Sequence, residues 1–326
     1  MTVSIEEIAS TTASLNPATF YNQQGVIDTP LVFSEHLSER CQCQVYLKCE
    51  HLQNTGSFKI RGATAAMLSL SSDNKQKGVL TASSGNHGAA TAKAAQALSI
   101  PVTIYVPTTI NAAKEKKIVD CGAQLIKVEG ATEKAEQAAA HDAKTQGRTY
   151  ISPYNDLNVM AGQGTLAVEI DQQLPEVDTI FASVGGGGMI GGLGCTFKSK
   201  SDSPTIVGCW PQSAPTMLEC MKAGKVVEVK EKETLSDGTA GGLDSGAITL
   251  PICQQVIDVT VTVTESEIAQ AMKLVYDHHG WIIEGAAGVA LASLLKTSTK
   301  YQGKNVVVIL CGGNIPEQKF HEVISL

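Results

Sequence analysis

The sequence predicts an α/β protein: two open, twisted, mostly parallel sheets with helices on both faces. Three observations carry the prediction. Short β-branched runs alternate with Ala-rich stretches of helical period along most of the chain, the pattern of an open sheet covered on both sides. Four glycine-rich or polar turns each follow a strand-like run, so they share one topological position, the carboxyl edge of parallel strands, where ligands collect in such folds. The spacing of the runs groups them into two blocks rather than one.

Taken in order, VYLKCE (45–50) reads as a strand that gives way to NTGSFKIRGA (54–63) and the helical IRGATAAMLSL. A compact flavodoxin-like block follows, from about 78 to 150. Its strands are GVLTAS (78–83), VTIYVP (102–107) and AQLIKVEG (123–130), and its helices GAATAKAAQALS (88–99), NAAKEKKIVDCG (111–122) and ATEKAEQAAAHDAKTQG (131–147). The second block takes the helix GQGTLAVEIDQQL (162–174), the strands TIFASVG (179–185), TIVGCW (205–210) and NVVVILCGG (305–313), and the N-terminal segment, which returns to it. Residues 266–295 read as two helices broken at Gly285. The expected division is a large body of 1–52 and 152–326 and a small mobile body of 53–151.

Composition narrows the function. A chain of 326 residues with 43% hydrophobic content can bury a substantial core. A net charge of −7 offers no basic face to a phosphate backbone, so nucleic acid is not an expected partner. No stretch has the apolar length of a membrane span, and MTVSIEEIAS lacks the basic and apolar regions of a signal peptide. The nine cysteines are odd in number and scattered, without paired CxxC elements, which argues against a disulfide framework or a zinc site. The expected location is the cytoplasm.

The chemistry lies in the turns. Lys59 stands where the first strand-like run passes into a helix, placed to meet a ligand. SSGNHG (83–88), GGGG (185–188) and CGGN (311–314) are the companion turns. GGGGMIGG (185–192) contains GxGxxG after a strand and before a helix, which raises a dinucleotide site first. That site needs an acidic residue for the ribose near the end of the next strand, and no Asp or Glu occurs between Ser203 and Leu218. Consecutive glycines instead let main-chain N–H groups converge at a helix start, a nest for a single phosphate.

A phosphate nest, a lysine at a loop-to-helix junction, an asparagine in a glycine turn and a polar group closing the last strand describe a site for pyridoxal 5′-phosphate. Here the chain resembles the fold-type II pyridoxal phosphate enzymes, tryptophan synthase β-like in fold, and within them the serine/threonine dehydratase and serine racemase group. TGSFKIRGA, SSGNHG, AGQGT, GGGGMIGG, SDGTAGG, IIEGAAG and CGGN occur in that family's order, from about Thr29 to Asn314. The resemblance implies that Lys59 binds the cofactor's aldehyde, with Phe58 packed on its ring and Asn86 on its 3′-oxygen. It implies a phosphate cup of Gly185, Gly186, Gly187, Gly188 and Met189. Ser83, Ser84, Gly85, Asn86 and His87 would hold the substrate carboxylate, Gly238 would line the substrate side, and Glu284 would lie close to the cofactor. Plainer roles stand beside these: His87 as a satisfied helix-start residue, Glu284 as a helix cap, Ser83 as a turn serine, Phe58 and Met189 as core.

Cys311 falls where the resemblance puts the partner of the cofactor's ring nitrogen. A thiol, with a reference pKa of roughly 8.5, cannot keep a pyridine nitrogen protonated at neutral pH as a carboxylate could. The ring is then a weaker electron sink, which favours loss of a β-substituent over transamination. The expected activity is therefore dehydration of L-serine, L-threonine or a related 3-hydroxy amino acid to the 2-oxo acid and ammonia. Lys59 would remove the α-proton, and the cofactor phosphate would supply the proton for the departing hydroxide. Ser84, on the opposite face of the α-carbon by the same resemblance, keeps racemisation or hydroxyaspartate dehydration as alternatives. A non-catalytic cofactor-binding protein is a more distant one. Racemase-type members bind a divalent cation through carboxylates at positions that here match Trp210, Ala214 and Thr216, so no metal is expected there. No residue supports an ATP site, and no regulatory domain is expected after Asn314. The family also implies a homodimer.

Overall fold

The structure, a computed structural model, describes residues 3–325; Met1, Thr2 and Leu326, at the ends of the expected large body, lie outside it. Its strands are β1 (Leu31–Phe33), β2 (Gln44–Lys48), β3 (Val79–Ala82), β4 (Val102–Pro107), β5 (Gln124–Val128), β6 (Thr149–Tyr150), β7 (Thr179–Ser183), β8 (Thr205–Pro211), β9 (Val259–Val263) and β10 (Asn305–Ile309). They form a six-stranded sheet in the order β1-β2-β10-β7-β8-β9 and a four-stranded sheet in the order β5-β4-β3-β6. Every pairing is parallel except that of β1 with β2. The chain is thus α/β with two mostly parallel sheets, as its alternating pattern predicts.

Parallel strands need helical crossovers, and the crossovers bury both faces of each sheet. All residues of β3, β4 and β7 are accordingly buried. The larger core gathers Phe181, Trp210, Leu193 and Val307 around the six-stranded sheet. A second core joins Val79, Ile104 and Ala90 of the four-stranded sheet and its helices to Ile60, Ala63 and Met67 of the helix Lys59–Leu68. Within the larger body the helices Leu157–Gln173 and Gly188–Lys198 touch main chain to main chain. A β-carbon on Gly192 would stand 1.9 Å from the Met160 carbonyl oxygen, so only glycine permits that approach.

Several boundaries differ from the sequence reading for local reasons. The helix read as 162–174 begins at Leu157, because Asp156 caps it by accepting from the Val159 N–H. The run 305–313 is strand only to Ile309, and its last residues turn into the site. The break expected at Gly285 spans Gly280 to Glu284: Gly280 ends the first helix in the left-handed conformation (φ 68°), and Gly285 starts the second. Three strands went unread. β6 has only two residues and β1 three, while β9 (VTVTV) is a half-buried edge strand.

Candidate active site

Lys59 is the first residue of its helix, and the segment before it is stitched to the end of β10. Ser57 pairs with Gly312, and the Phe58 N–H donates to the Cys311 carbonyl at 3.1 Å. This brings the amine inward: Nζ donates to the Pro153 carbonyl at 2.9 Å and lies 5.2 Å from the centre of the Phe58 ring. Burial lowers its pKa to about 8, opposed by the fields of Cys311 and Glu284.

The four glycines link β7 to the helix Gly188–Lys198, with Gly187 at φ 85°, a conformation costly for other residues. Among the described residues the N–H groups of Gly185 to Gly188 have no hydrogen-bond partner, the Val184 and Gly191 N–H groups on either side being satisfied by Cys209 and Gly187 carbonyls. Tyr154 and Thr239 press on this turn. A β-carbon on Gly186 would come within 2.4 Å of the Tyr154 ring, and one on Gly185 within 2.9 Å of the Thr239 Cα. The Met189 side chain is part of the larger core, so the helix start rather than that side chain faces the turn.

The turn after β3 is equally tight, since a β-carbon on Gly88 would stand 2.1 Å from the Ser83 carbonyl oxygen. Ser83 Oγ accepts from the Gly85 N–H at 3.2 Å, so Ser83 shapes the turn, and Ser84 sits half-buried beside it. The His87 ring points away from the turn. Its Nε2 lies 3.0 Å from Thr81 Oγ1 and 3.1 Å from the Ile151 carbonyl, inside the small core. Burial, with Lys59 next in weight, depresses its pKa to about 3. Only the main chain of His87 is left for a ligand; the ring is the satisfied helix-start histidine of the plainer reading.

Glu284 is buried at the start of the helix Gly285–Thr297, yet its carboxylate makes no cap bond. Both oxygens accept from Asn86 Nδ2 at 3.0 Å, and Asn314 N–H adds a 3.3 Å contact. Asn314 Nδ2 in turn donates to Asn86 Oδ1 at 2.8 Å, so the Asn86 amide is held at both ends. Burial raises the Glu284 pKa. Gly238 lies beside this group: a β-carbon there would be 3.6 Å from Glu284 Oε1. Cys311 closes β10 with its Sγ 3.6 Å from Ser183 Oγ, and burial raises its pKa, so the thiol stays protonated at neutral pH.

The model of the family described as pyridoxal-phosphate dependent enzyme matches residues 23–312. The chain belongs to that family. It is 36% identical to an L-threonine ammonia-lyase of Thermotoga maritima over 91% of this chain and 74% of the relative. It is 35% identical to a serine racemase of Arabidopsis thaliana over 88% of this chain and 92% of the relative. Among solved structures, the processed threonine deaminase isoform 2 of Solanum lycopersicum superposes with a TM-score of 0.91 at 31% identity, covering 98% of this chain and 87% of that one.

As a pyridoxal-phosphate dependent enzyme the chain needs a place for a phosphorylated aldehyde with an aromatic ring, and the residues fit. N–H groups without partners stand at a helix start for the phosphate, a partly buried amine of lowered pKa rests on the Pro153 carbonyl, next to the Tyr154 that packs on those glycines, for the aldehyde, and a neutral thiol follows the last strand. Four participants escaped the sequence reading: the Pro153 carbonyl, Tyr154, Ser183 and Asn314. The first two lie in SPYN (152–155), a stretch with no glycine signature, and Ser183 lay inside the strand run 179–185. Asn314 was visible as the end of CGGN but had no role. At the positions considered for a cation, Trp210 and Ala214 are buried, and the Thr216 hydroxyl donates to Glu231. Among the described residues no group of three or more His, Cys, Asp or Glu could hold a metal ion.

Proposed function

We propose that this enzyme is a dehydratase that converts L-serine, L-threonine or a related 3-hydroxy amino acid to the 2-oxo acid and ammonia. The observation that carries the proposal is the pairing of a partly buried lysine of lowered pKa with a protonated thiol, rather than a carboxylate, just after β10. When bound, the cofactor supplies the aldehyde that takes up the substrate amine and the conjugated ring that draws electrons from the α-carbon. The protein does the rest. With a pKa of about 8, roughly a tenth of the Lys59 amine is neutral at pH 7, enough to accept the α-proton. The N–H groups of Gly185 to Gly188 and Met189 hold the phosphate. The turn from Ser83 to His87 offers main-chain donors to the substrate carboxylate, and Gly238 leaves room beside Glu284. Cys311 keeps its proton and withholds the full positive charge that a carboxylate would stabilise on the ring.

The relatives named threonine ammonia-lyase and threonine deaminase support this reading. A second reading, amino-acid racemisation, is favoured by Ser84, a hydroxyl half-buried in the carboxylate turn, and by the serine racemase relative. A 2-oxo acid release assay over L-serine, L-threonine, threo-3-hydroxyaspartate and their D-isomers, with chiral chromatography, separates the readings. Keto acid and ammonia from an L-substrate is the expected result, and no release from any of them rejects it. D-serine formation that disappears in Ser84→Ala would establish the racemase instead.

The proposal includes a homodimer in the cytoplasm. Among the described residues no helix is long and apolar enough to cross a membrane, and all nine cysteines are free thiols, as in a reducing compartment. It also includes movement of the four-stranded sheet, within residues 53–151, against the six-stranded body of residues 1–52 and 152–326; each sheet has its own hydrophobic core, with Phe20, Val26 and Val159 of the larger body joining the smaller one. Sedimentation would test the first of these and ligand-dependent hydrogen exchange the second.

A further inference from the structure

Two residues beyond Lys59, on the same helix, Arg61 is fully buried, and all five of its guanidinium N–H groups are engaged. Nε donates to Glu50 Oε2 at 2.7 Å, and Nη2 to Glu50 Oε1 and Glu169 Oε2 at 2.8 Å each. Nη1 donates to Thr165 Oγ1 at 3.0 Å and to Glu169 Oε1. Lys48, buried alongside, spends its three N–H groups on Glu169 Oε2 and the Thr29 carbonyl at 2.6 Å and on Gln173 Oε1 at 3.0 Å. The hydroxyls of Tyr21 and Thr29 complete the two carboxylates. Two cations thus meet two buried carboxylates with no donor left over, and the exposed Asp28 carboxylate lies 3.7 Å from Lys48 at the edge of the cluster. Burial opposes ionisation of Glu169, but Arg61 and Lys48 outweigh it and hold its pKa at about 2.

The partners of Arg61 belong to the six-stranded body: Glu50 follows β2, and Thr165 and Glu169 lie on the helix Leu157–Gln173, whose Leu166 and Ile170 are in the larger core. The apolar side of Arg61's own helix belongs elsewhere. Ile60, Ala63 and Met67 are built into the core of the four-stranded sheet. Lys59 therefore opens a helix whose side chains are divided between two bodies, and any displacement of the four-stranded sheet pulls on it. A buried ion pair is a poor way to stabilise such a helix, because apolar side chains of similar volume do as well or better. What a guanidinium fork gripped by two carboxylates does supply is direction, and a lysine cannot reproduce that geometry.

We propose that Arg61 is a positioning residue: clamped by Glu50 and Glu169, it fixes the first turn of its helix to the six-stranded body, so that Lys59 keeps its place relative to Gly185–Gly188 and Cys311 when the four-stranded sheet moves. The role deepens the proposed function and rests on Lys59 being the amine that binds the cofactor. The main-chain bonds from Phe58 to Cys311 (3.1 Å) and from Gly313 to Gly56 (2.9 Å) hold the chain just before Lys59, and Arg61 holds it just after.

The test compares Arg61→Lys and Arg61→Met with Leu37→Ala, a core truncation on the helix Glu35–Cys41 that lowers stability away from the site. Three quantities are measured on cofactor-loaded protein: the thermal midpoint, the pH midpoint of the absorbance of lysine-bound cofactor, and kcat and KM for keto-acid release. A small misplacement of a reacting group costs on the order of 10²-fold in rate. The expected result is a fall in kcat of about tenfold for Arg61→Lys and about 10²-fold for Arg61→Met, with KM little changed and the absorbance midpoint displaced. Leu37→Ala should lower the thermal midpoint alone. Arg61→Met leaves two carboxylates facing one cation; if it does not fold, Arg61→Met/Glu50→Gln, which restores the balance, takes its place. An Arg61→Lys enzyme that loses thermal stability but keeps the wild-type kcat and absorbance midpoint overturns the role of Arg61 alone. Absence of lysine-bound absorbance from the unsubstituted protein overturns the Lys59 assignment as well.

Discussion

Lys59 and Arg61 are cations two residues apart on one helix, the first partly and the second fully buried, and their surroundings are opposite. Arg61 faces the carboxylates of Glu50 and Glu169, which accept four of its five N–H bonds, the Thr165 hydroxyl accepting the fifth. Lys59 has one neutral carbonyl acceptor, and its nearest ionisable neighbours are a protonated thiol and a carboxyl group whose own pKa burial has raised. Full compensation makes a buried charge permanent and structural. Withheld compensation makes it easy to discharge, which is what a base requires. The same desolvation acts on both; the counter-charges decide.

The contrast can be broken at several points. Lys59→Ala should lower keto-acid release by about 10³-fold or more and remove the absorbance of lysine-bound cofactor; a fully active variant would discard the assignment. Glu169→Gln leaves Arg61 and Lys48 under-compensated, and breaking a buried pair in this way costs about 3–5 kcal/mol, readable by urea denaturation. The same group sets an acid limit. Its pKa is lowered in the fold to about 2, so its contribution is complete above the unfolded carboxylate pKa and is lost as pH falls from there through about 2. Glu169→Gln should flatten that part of the profile.

Two smaller effects sharpen the comparison. His87 and His51 have pKa values lowered in the fold, to about 3 and about 4 respectively, mainly by burial. They stay neutral in the fold, whereas in the unfolded chain they take up protons below roughly pH 6.5. Their contribution is therefore whole above that pH and erodes below it, by about 2 kcal/mol per fully neutral ring between pH 6.5 and 5. Denaturant midpoints at pH 7 and 5 would show this, and a flat profile would reject the neutral rings. Finally, Cys311→Asp would give Lys59 the kind of counter-charge that Arg61 already has. The amine pKa should rise by about one unit or more, moving the alkaline-rising limb of the pH–rate profile upward; an unmoved limb would show that residue 311 does not act on Lys59.

Much of this was legible from the chain because parallel strands and glycine turns leave strong local signals. The alternation of β-branched and Ala-rich runs gave both sheets, and Lys59, the 83–88 turn, Gly185–Gly188 and Cys311 stood out as interruptions at strand ends. What escaped depends on contacts distant in sequence. Nothing local says that the His87 ring turns inward to Thr81, that Glu284 faces Asn86 rather than its own helix, or that the Pro153 carbonyl meets Lys59. The Arg61 cluster was hidden for the same reason: Glu50 and Glu169 are unremarkable acids until the fold brings them together across a separation of more than a hundred residues.

Cys311 carries one more consequence. Eight of the nine cysteines are buried, and Cys121 alone is partly open to solvent. A protonated sulfur sealed inside the protein reacts slowly with electrophiles, because the thiolate is the nucleophile. Alkylating reagents should therefore mark Cys121 first and spare activity. When they do inactivate, the rate will time the breathing of the larger core around Cys311 rather than any step of turnover.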